Sequence, residues 1–214
     1  MINKHDLTVN LNHIILIEGF QKLSMSKMAA AVGVSRATLY LYFKNKDDVI
    51  QAVVARHFQF MTENPIPEQF AATSFSPVWL KSLLLMGATT ETFMTDLRHN
   101  YPDLAQRLTQ AYQEYFTQLV TYVGQAQAAD FVLATYQADF VVFQAQTLVK
   151  GILQQVRAHQ ITLSQAETYL DDGITMQLHG LLTPAALQQL DTSAEAPFKA
   201  VIFAEFRATY ALIS

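Results

Sequence analysis

The sequence contains no cysteine. This absence excludes disulfides, thiolate metal sites and cysteine nucleophiles, and it is compatible with a reducing cytosol. Charged residues are also few, at 15% against 51% hydrophobic residues, which favours a well-buried globular protein over a disordered one. No apolar run approaches about 18 residues, and the start of the chain lacks the pattern of a signal peptide. We therefore expect a cytoplasmic protein with no membrane partner.

Sequence patterns that carry enzyme chemistry are missing as well. The six histidines do not have the spacing of metal ligands, and neither a glycine-rich phosphate loop nor a Gly-x-Ser-x-Gly motif is present. Acidic pairs such as Glu167 and Asp171 have the spacing of neighbours on a helix surface, where solvation is the ordinary state. We expect no catalytic residues, no metal and no cofactor, and hence no enzyme.

Charge is distributed unevenly along the chain. The whole protein carries a net charge of −4, but residues 1–57 hold seven Lys/Arg and four Asp/Glu, which gives this part +3 and leaves −7 for the remainder. A basic N-terminal part on an acidic remainder is typical of a protein that presents one face to phosphates. Ordinary variation in composition produces similar differences, so the charge by itself does not decide the function.

Residues 24–47 have the pattern of a helix-turn-helix. Gly33 supplies the turn at a position where a side chain would be strained, and Ser35 is a suitable N-cap for the helix that follows. Leu39 and Phe43 lie four residues apart and define the buried side of that helix. A helix-turn-helix is a device for placing its second helix in the major groove of DNA.

The rest of the chain predicts helices and no strands, because no alternating β-branched run bounded by hairpin turns occurs. The first helix is predicted to end at Gly19. Further helices are predicted to begin with the caps Ser24 and Asn45, at Ser76-Pro77 (to about Arg98), at Tyr101 (to about Gln127), at Asp130 (to about His159), at a capping box Ser164–Glu167 (to about Leu182), at Thr183-Pro184 and near Pro197. We therefore predict an all-α fold of roughly nine to eleven helices.

From about Leu7 to Val54 the sequence resembles the tetracycline-repressor (TetR) family of bacterial transcription regulators. The string Gly-Val-Ser-Arg-Ala-Thr-Leu-Tyr-x-Tyr-Phe-Lys-Asn-Lys, which begins at Gly33, carries the resemblance. A generic helix-turn-helix lacks the Tyr-x-Tyr-Phe ending and the lysine that follows it. Two residues depart from the family pattern: Ala37 stands where many members carry glycine, and Asn10 replaces a small residue of the first helix. The change at Ala37 bears on which bases are tolerated.

The resemblance implies a DNA-binding domain of three helices over residues 1–46 and a helical effector-binding and dimerisation domain over 47–214. It further implies a homodimeric repressor that leaves a palindromic double-stranded DNA operator when a small-molecule effector binds. The helices over 132–158 and 164–182 look like the family's dimer-forming pair. The alternative is a helix-turn-helix DNA-binding protein without an effector, controlled by a protein partner.

Ten residues are candidates for contact with DNA: Ser24, Ser26, Lys27, Ser35, Arg36, Ala37, Thr38, Tyr40, Tyr42 and Lys46. Arg36 can donate two hydrogen bonds to a guanine edge or one to a phosphate, and Ala37 and Thr38 are small enough to approach a thymine methyl group. Tyr42 either donates to a phosphate or packs within the domain. Lys46 adds charge at the amino end of the fourth helix, which favours phosphate contact.

Nine aromatic and methionine residues are candidates for lining an effector pocket: Phe58, Met61, Trp79, Met86, Phe93, Tyr112, Phe116, Tyr136 and Phe140. Their abundance favours an apolar or aromatic effector. Core packing is the alternative for each of them, because aromatic stripes at helical spacing are also how helical cores are built.

Overall fold

The computed structural model describes residues 3–189 and 192–210. Within these residues the chain is all-α, with eleven helices and no strand, which confirms the predicted fold class. The helices are α1 Lys4–Glu18, α2 Met25–Ala31, α3 Arg36–Tyr42, α4 Lys46–Glu63, α5 Ala72–Met86, α6 Glu91–Asn100, α7 Pro102–Ala128, α8 Ala138–Arg157, α9 Leu163–Leu181, α10 Pro184–Gln189 and α11 Thr192–Tyr210. A single antiparallel backbone bridge joins Val132 to Leu182 in the part of the chain that the structure describes.

The chain packs into two compact units. The first unit is formed by Met1–Glu63 and Thr89–Ala111, and the second by Asn64–Ala88 and Tyr112–Ser214. The first unit groups α4 and residues 89–111 with the N-terminal helices. The functional domains 1–46 and 47–214 stay a prediction.

In the first unit, α1 is the central helix and packs against both α4 and α6, while α2 packs against α3. Its core consists of apolar side chains at helical spacing, which are almost fully buried. They include Leu7, Leu11, Ile15, Met28, Leu39, Phe43, Ile50, Val53 and Phe93. Gly19 and Gly33 end α1 and α2 with φ values of +71° and +70°, as their predicted roles in turns require.

The second unit is built around an aromatic cluster. The rings of Phe75 and Trp79, one helical turn apart on α5, are stacked with centroids 6.1 Å apart. The ring centroid of Phe131 lies 5.4 Å from that of Phe75. The hydroxyl oxygen of Tyr122 is 2.9 Å from Ser74 Oγ. Trp79 and Tyr122 are each 1% exposed, so these rings form the centre of the unit.

The helix predicted from Ser76 to about Arg98 is wrong: the structure has two helices there, α5 and α6. Pro77 lies inside α5, not at its first position. The chain leaves the helix at Gly87, and Thr90 caps α6 by accepting a hydrogen bond from Phe93 N at 3.2 Å. Gly87 is a point of close approach, since a Cβ there would lie 3.0 Å from Leu153 of α8.

The predicted start of α8 at Asp130 is also wrong, because α8 begins at Ala138. Asp130 has a φ of +55°, which is the left-handed conformation found at helix carboxyl ends, so it terminates α7. The segment that follows is held by backbone hydrogen bonds from Leu133 N to Leu181 O (2.7 Å) and from Thr183 N to Phe131 O (3.0 Å).

Two other predicted helix starts need correction. The capping box of α9 is formed by Thr162 and Gln165, not by Ser164 and Glu167. The last helix begins at Thr192 and contains Pro197, so it starts earlier than predicted.

Candidate nucleic-acid interface

The helix-turn-helix is held by side-chain caps at the amino ends of its helices. Ser24 Oγ accepts a hydrogen bond from Lys27 N at 3.3 Å, and Ser35 Oγ accepts one from Thr38 N at 3.0 Å. The Ser35 and Thr38 side-chain oxygens are 2.8 Å apart. These caps satisfy backbone donors that would otherwise be open and so fix where α3 begins.

All ten DNA candidates lie in the first unit. Seven are exposed, namely Ser24, Ser26, Lys27, Ser35, Arg36, Ala37 and Tyr40, and three are half-buried, namely Thr38, Tyr42 and Lys46. Leu39 forms the inner side of α3, and Phe43 follows directly after the last residue of the helix. The two side chains are 0% and 1% exposed. The outer side of α3 is therefore available to a partner.

One pair of side chains and one exposed leucine shape the outer side of α3. The Arg36 guanidinium lies over the Tyr40 ring, 5.3 Å from its centroid, an arrangement that leaves guanidinium N–H groups free to point away from the ring. Leu41 is 81% exposed between Tyr40 and Tyr42. Sequence reasoning missed Leu41, although its position opposite Leu39 and Phe43 on the helix could have revealed it.

Lys46 is tied to the turn between α1 and α2. Its Nζ donates to Gln21 O at 3.2 Å and lies 5.7 Å from the centroid of the Phe20 ring. Partial burial lowers the pKa of Lys46, while the negative charges of Asp96 and Asp47 act in the opposite direction. The ammonium is therefore held at the amino end of α4, where the helix dipole also favours an anion.

The same turn is anchored by α6. Asp96 Oδ2 accepts hydrogen bonds from Phe20 N at 2.6 Å and Gln21 N at 2.8 Å. A Cβ on Gly19 would lie only 2.5 Å from Asp96 Oδ2, so glycine is required there by space as well as by its positive φ. Thr90 adds a hydrogen bond to Leu16 O at 2.6 Å. Helix α6 thus holds the turn that leads from α1 into the helix-turn-helix.

Tyr101, between α6 and α7, connects to the first turn of α4. Its hydroxyl donates to Asp47 Oδ1, and its ring lies 5.8 Å from that of Phe20. Burial, together with the hydrogen bond to the Asp47 carboxylate and its charge, raises the pKa of Tyr101 to about 12. Tyr101 therefore stays protonated and remains a donor at neutral pH.

The nine candidates for an effector pocket are divided between the two units. Three lie in the first unit, namely Phe58, Met61 and Phe93, and six in the second, namely Trp79, Met86, Tyr112, Phe116, Tyr136 and Phe140. Phe93, Trp79 and Met86 are core residues with at most 1% exposure, whereas Tyr136 and Phe140 are 48% and 51% exposed. Their roles in effector binding stay a prediction.

Phe58 is the one candidate among these nine that lines the open cleft of about 670 Å³ found within the first unit. The cleft lies between α4 and the beginning of α7, and Tyr101, Asp103 and Leu104 form part of its wall. The guanidinium of Arg107 lies 5.7 Å from the centroid of the Phe58 ring. The volume of the cleft is in the range of small-molecule sites.

The fold and the exposed α3 define an all-α protein of the helix-turn-helix class. Residues 15–53 match the family described as bacterial regulatory proteins, tetR family. This match lies in the N-terminal part of the chain and agrees with the family resemblance that the sequence predicted.

A relative described as an uncharacterized HTH-type transcriptional regulator from Haemophilus influenzae is 46% identical over 41 residues, which are 19% of this chain and 22% of the relative. The match therefore spans about a fifth of that relative and lies within a limited part of each protein.

Solved structures show that the likeness of fold extends further. The ketosteroid transcriptional regulator KstR2 of Mycobacterium tuberculosis is similar with a TM-score of 0.59 and 10% identity, over 86% of this chain and 97% of that one. A complex of SmeT with triclosan is similar with a TM-score of 0.50 and 18% identity, over 86% and 93% of the two chains. In the described residues, no helix combines the length and the hydrophobicity needed to cross a bilayer.

Proposed function

We propose that this protein is a homodimeric transcriptional repressor in the cytoplasm that binds a palindromic operator through α3 and is released by a small-molecule effector. The observation that carries the proposal is the outer side of α3, which exposes Arg36, Ala37 and Tyr40 within a TetR-type domain. The basic charge of residues 1–57 supports contact with phosphates.

A symmetric pair of α3 helices can read two half-sites only if a second copy of the chain is present. The exposed surfaces of α8 and α9 support a homodimer. On α8, Phe140 and Phe143 are 51% and 62% exposed, and on α9, Tyr169 and Met176 are 48% and 62% exposed. Large exposed apolar side chains on adjacent helices are typical of a protein–protein interface.

The exposed apolar side chains form one stripe along α8 and another along α9. Each stripe also contains a glycine that would let a partner helix approach. Thr147 and Gly151 continue the stripe of Phe140 and Phe143, and Gly180 continues that of Met176, since their spacings of three, four and seven residues recur on one helix face. Both glycines are exposed, and a Cβ on either would meet nothing within 4 Å in the single chain. These features support pairing of this surface with α8 and α9 of a second copy of the chain.

Release by an effector requires that the effector bind one arrangement of the dimer better than the other. Helix α4 connects Lys46 at its amino end with Phe58 in the cleft wall, about 18 Å further along the helix axis. A ligand in the cleft would contact α4 and the turn at Tyr101. The hydroxyl of Tyr101 is hydrogen-bonded to Asp47 in the first turn of α4. The triclosan complex of the similarly folded SmeT supports an apolar effector.

The experiment is an anisotropy titration with a duplex selected from a random library. Binding should weaken roughly 10³-fold or more between 50 and 200 mM salt if about six or more phosphates are neutralised. Arg36→Ala should relax sequence preference, whereas Lys46→Ala should weaken all sequences about equally. Arg207→Ala removes the same charge from α11, where the side chain pairs with Glu167, and should leave the affinity unchanged. If both test variants bind like the wild type, these roles are excluded.

The alternative, control by a protein partner without an effector, predicts a different result in a thermal-shift screen against hydrophobic drugs and metabolites. A specific effector must raise the melting temperature by mass action and must lower the affinity for the selected duplex. A protein whose melting temperature and DNA affinity are indifferent to every compound would favour the alternative.

A further inference from the structure

Leu41 points away from the body of the first unit. Successive residues of an α-helix are turned by about 100°, so Ala37 and Leu41 lie almost opposite the buried Leu39. The structure agrees with this geometry, since Leu41 is 81% exposed and Ala37 is exposed. Arg36 and Tyr40 lie to one side of Ala37 and Leu41 on the helix surface. The centre of the outer side of α3 is therefore apolar and has polar flanks.

The exposure of Leu41 is unusual for this unit. Of the large hydrophobic side chains that are exposed in the described residues, only Tyr40 and Leu41 belong to the first unit, and Leu41 is the most exposed of all. An isolated surface leucine by itself is ordinary. This leucine, however, lies in the last turn of α3, the helix that the proposed function places in the major groove, where it faces base edges and not water.

In the major groove the apolar feature of the base edges is the C5-methyl group of thymine; the other groups are hydrogen-bond donors and acceptors. We propose that Leu41 reads a thymine methyl group in each operator half-site, an inference that rests on the proposed DNA-binding function. Ala37 assists by its small size, which allows the backbone of α3 to lie close enough to the bases for the Leu41 side chain to reach them.

Uracil tests this contact directly, because it differs from thymine only in lacking that methyl group. Each thymine of the selected duplex is replaced by uracil, one position at a time and in both half-sites, and the dissociation constant is measured by anisotropy. At one position per half-site, the loss of the buried methyl group should weaken wild-type binding about fourfold for each half-site.

Leu41→Ala provides the second half of the test. The variant should bind the thymine duplex about as weakly as the wild type binds the corresponding uracil duplex, and it should show no further loss when that thymine becomes uracil. Leu41→Met, which keeps an apolar side chain of similar volume, should retain the uracil effect. Arg36→Ala should retain it too, because the arginine contact is separate.

Folding does not complicate this comparison, since Leu41 is exposed and alanine is the better helix former; circular dichroism checks it. Failure to bind any selected duplex would overturn the proposed function itself. A duplex that binds in a salt-dependent manner but is indifferent to uracil at every thymine would overturn only the role of Leu41. The same holds if a uracil effect persists unchanged in Leu41→Ala.

Discussion

At the residue scale, His57 shows how burial changes the chemistry of a side chain. Its ring is 5% exposed on α4 and is stacked on Phe93, with centroids 5.9 Å apart and an interplanar angle of 13°. Burial, aided by the positive charge of Arg56, lowers the pKa of His57 from 6.5 to about 4. The folded protein therefore holds this histidine in its neutral form.

This shift predicts a pH dependence of stability. Because the pKa is lower in the folded state, the unfolded chain takes up the proton first as the pH falls. The stabilisation is fully present above pH 6.5 and is lost as the pH falls towards 4, by up to roughly 3 kcal/mol at 1.36 kcal/mol per pKa unit. Urea unfolding at several pH values measures it, and His57→Phe should flatten the dependence over this range.

Phe75→Leu in the second unit is the matched control for that measurement. It removes a buried ring that stacks on Trp79 but no titratable group, and it leaves the surroundings of His57 unchanged, so it should lower the unfolding free energy by a similar amount at each pH. If His57→Phe kept the full pH dependence of the wild type between pH 4 and 6.5, the lowered pKa would not be the cause.

At the scale of the element, caps decide where the helices begin. Thr162 Oγ1 accepts from Gln165 N at 3.1 Å, and Gln165 Oε1 accepts from Thr162 N at 2.9 Å, so the two side chains satisfy two backbone donors reciprocally. The sequence pattern Ser164-x-x-Glu167 has the same form two residues later, but it lies inside α9. Both patterns cannot cap one helix, and the structure selects the first.

A pair of single substitutions distinguishes the two caps. Thr162→Ala should lower the unfolding free energy by about 1 kcal/mol, because a backbone donor of α9 loses its side-chain acceptor. Ser164→Ala, at an exposed helical position, should change it by less than about 0.5 kcal/mol. Denaturant unfolding of the two variants measures the difference, and equal losses would contradict the assignment of Thr162 as the cap.

At the scale of the whole molecule, the proposed dimer determines whether two α3 helices can act together. Gly151→Glu and Gly180→Glu place a charged side chain on the two stripes of α8 and α9, where a single chain offers open space. Replacing a helical glycine raises helix propensity by up to about 1 kcal/mol. These variants should therefore shift the protein towards monomer in sedimentation equilibrium without a loss of helix content.

Gly124→Glu on α7 is the control for the dimer experiment. Gly124 is also a helical glycine with nothing within 4 Å of its Cβ position, but it lies outside both stripes. This variant should sediment like the wild type. A dimer that survived Gly151→Glu and Gly180→Glu with unchanged dissociation constant would place the interface elsewhere, and a wild type that is monomeric would exclude the homodimer itself.

Local sequence signals predicted much of the helix-turn-helix correctly. Ser24 and Ser35 cap α2 and α3 as expected, and Asn45 Oδ1 accepts from Asp48 N at 2.8 Å at the start of α4. Gly33 has the predicted left-handed conformation. These features depend on hydrogen bonds and backbone angles within a few residues, so the sequence contains all of the information that they need.

Predictions failed where distant contacts overrode local patterns. Ser76-Pro77 has the pattern of a helix start, yet α5 begins at Ala72 because Phe75 is buried and stacks on Trp79 within the aromatic cluster. Asp130 has the pattern of an N-cap, but backbone hydrogen bonds to residues 181–183 hold the segment that follows in a non-helical form. Sequence periodicity does not report such contacts.

By itself the sequence determined the helical class, the family resemblance of the N-terminal segment and the caps of α2, α3 and α4. Only the tertiary structure decided that α6 anchors the turn at Gly19 through Asp96 and that His57 is buried. The physical reason is the range of the interactions: caps and turns are settled between neighbours in sequence, whereas burial, pKa shifts and exposed faces depend on which helices pack together.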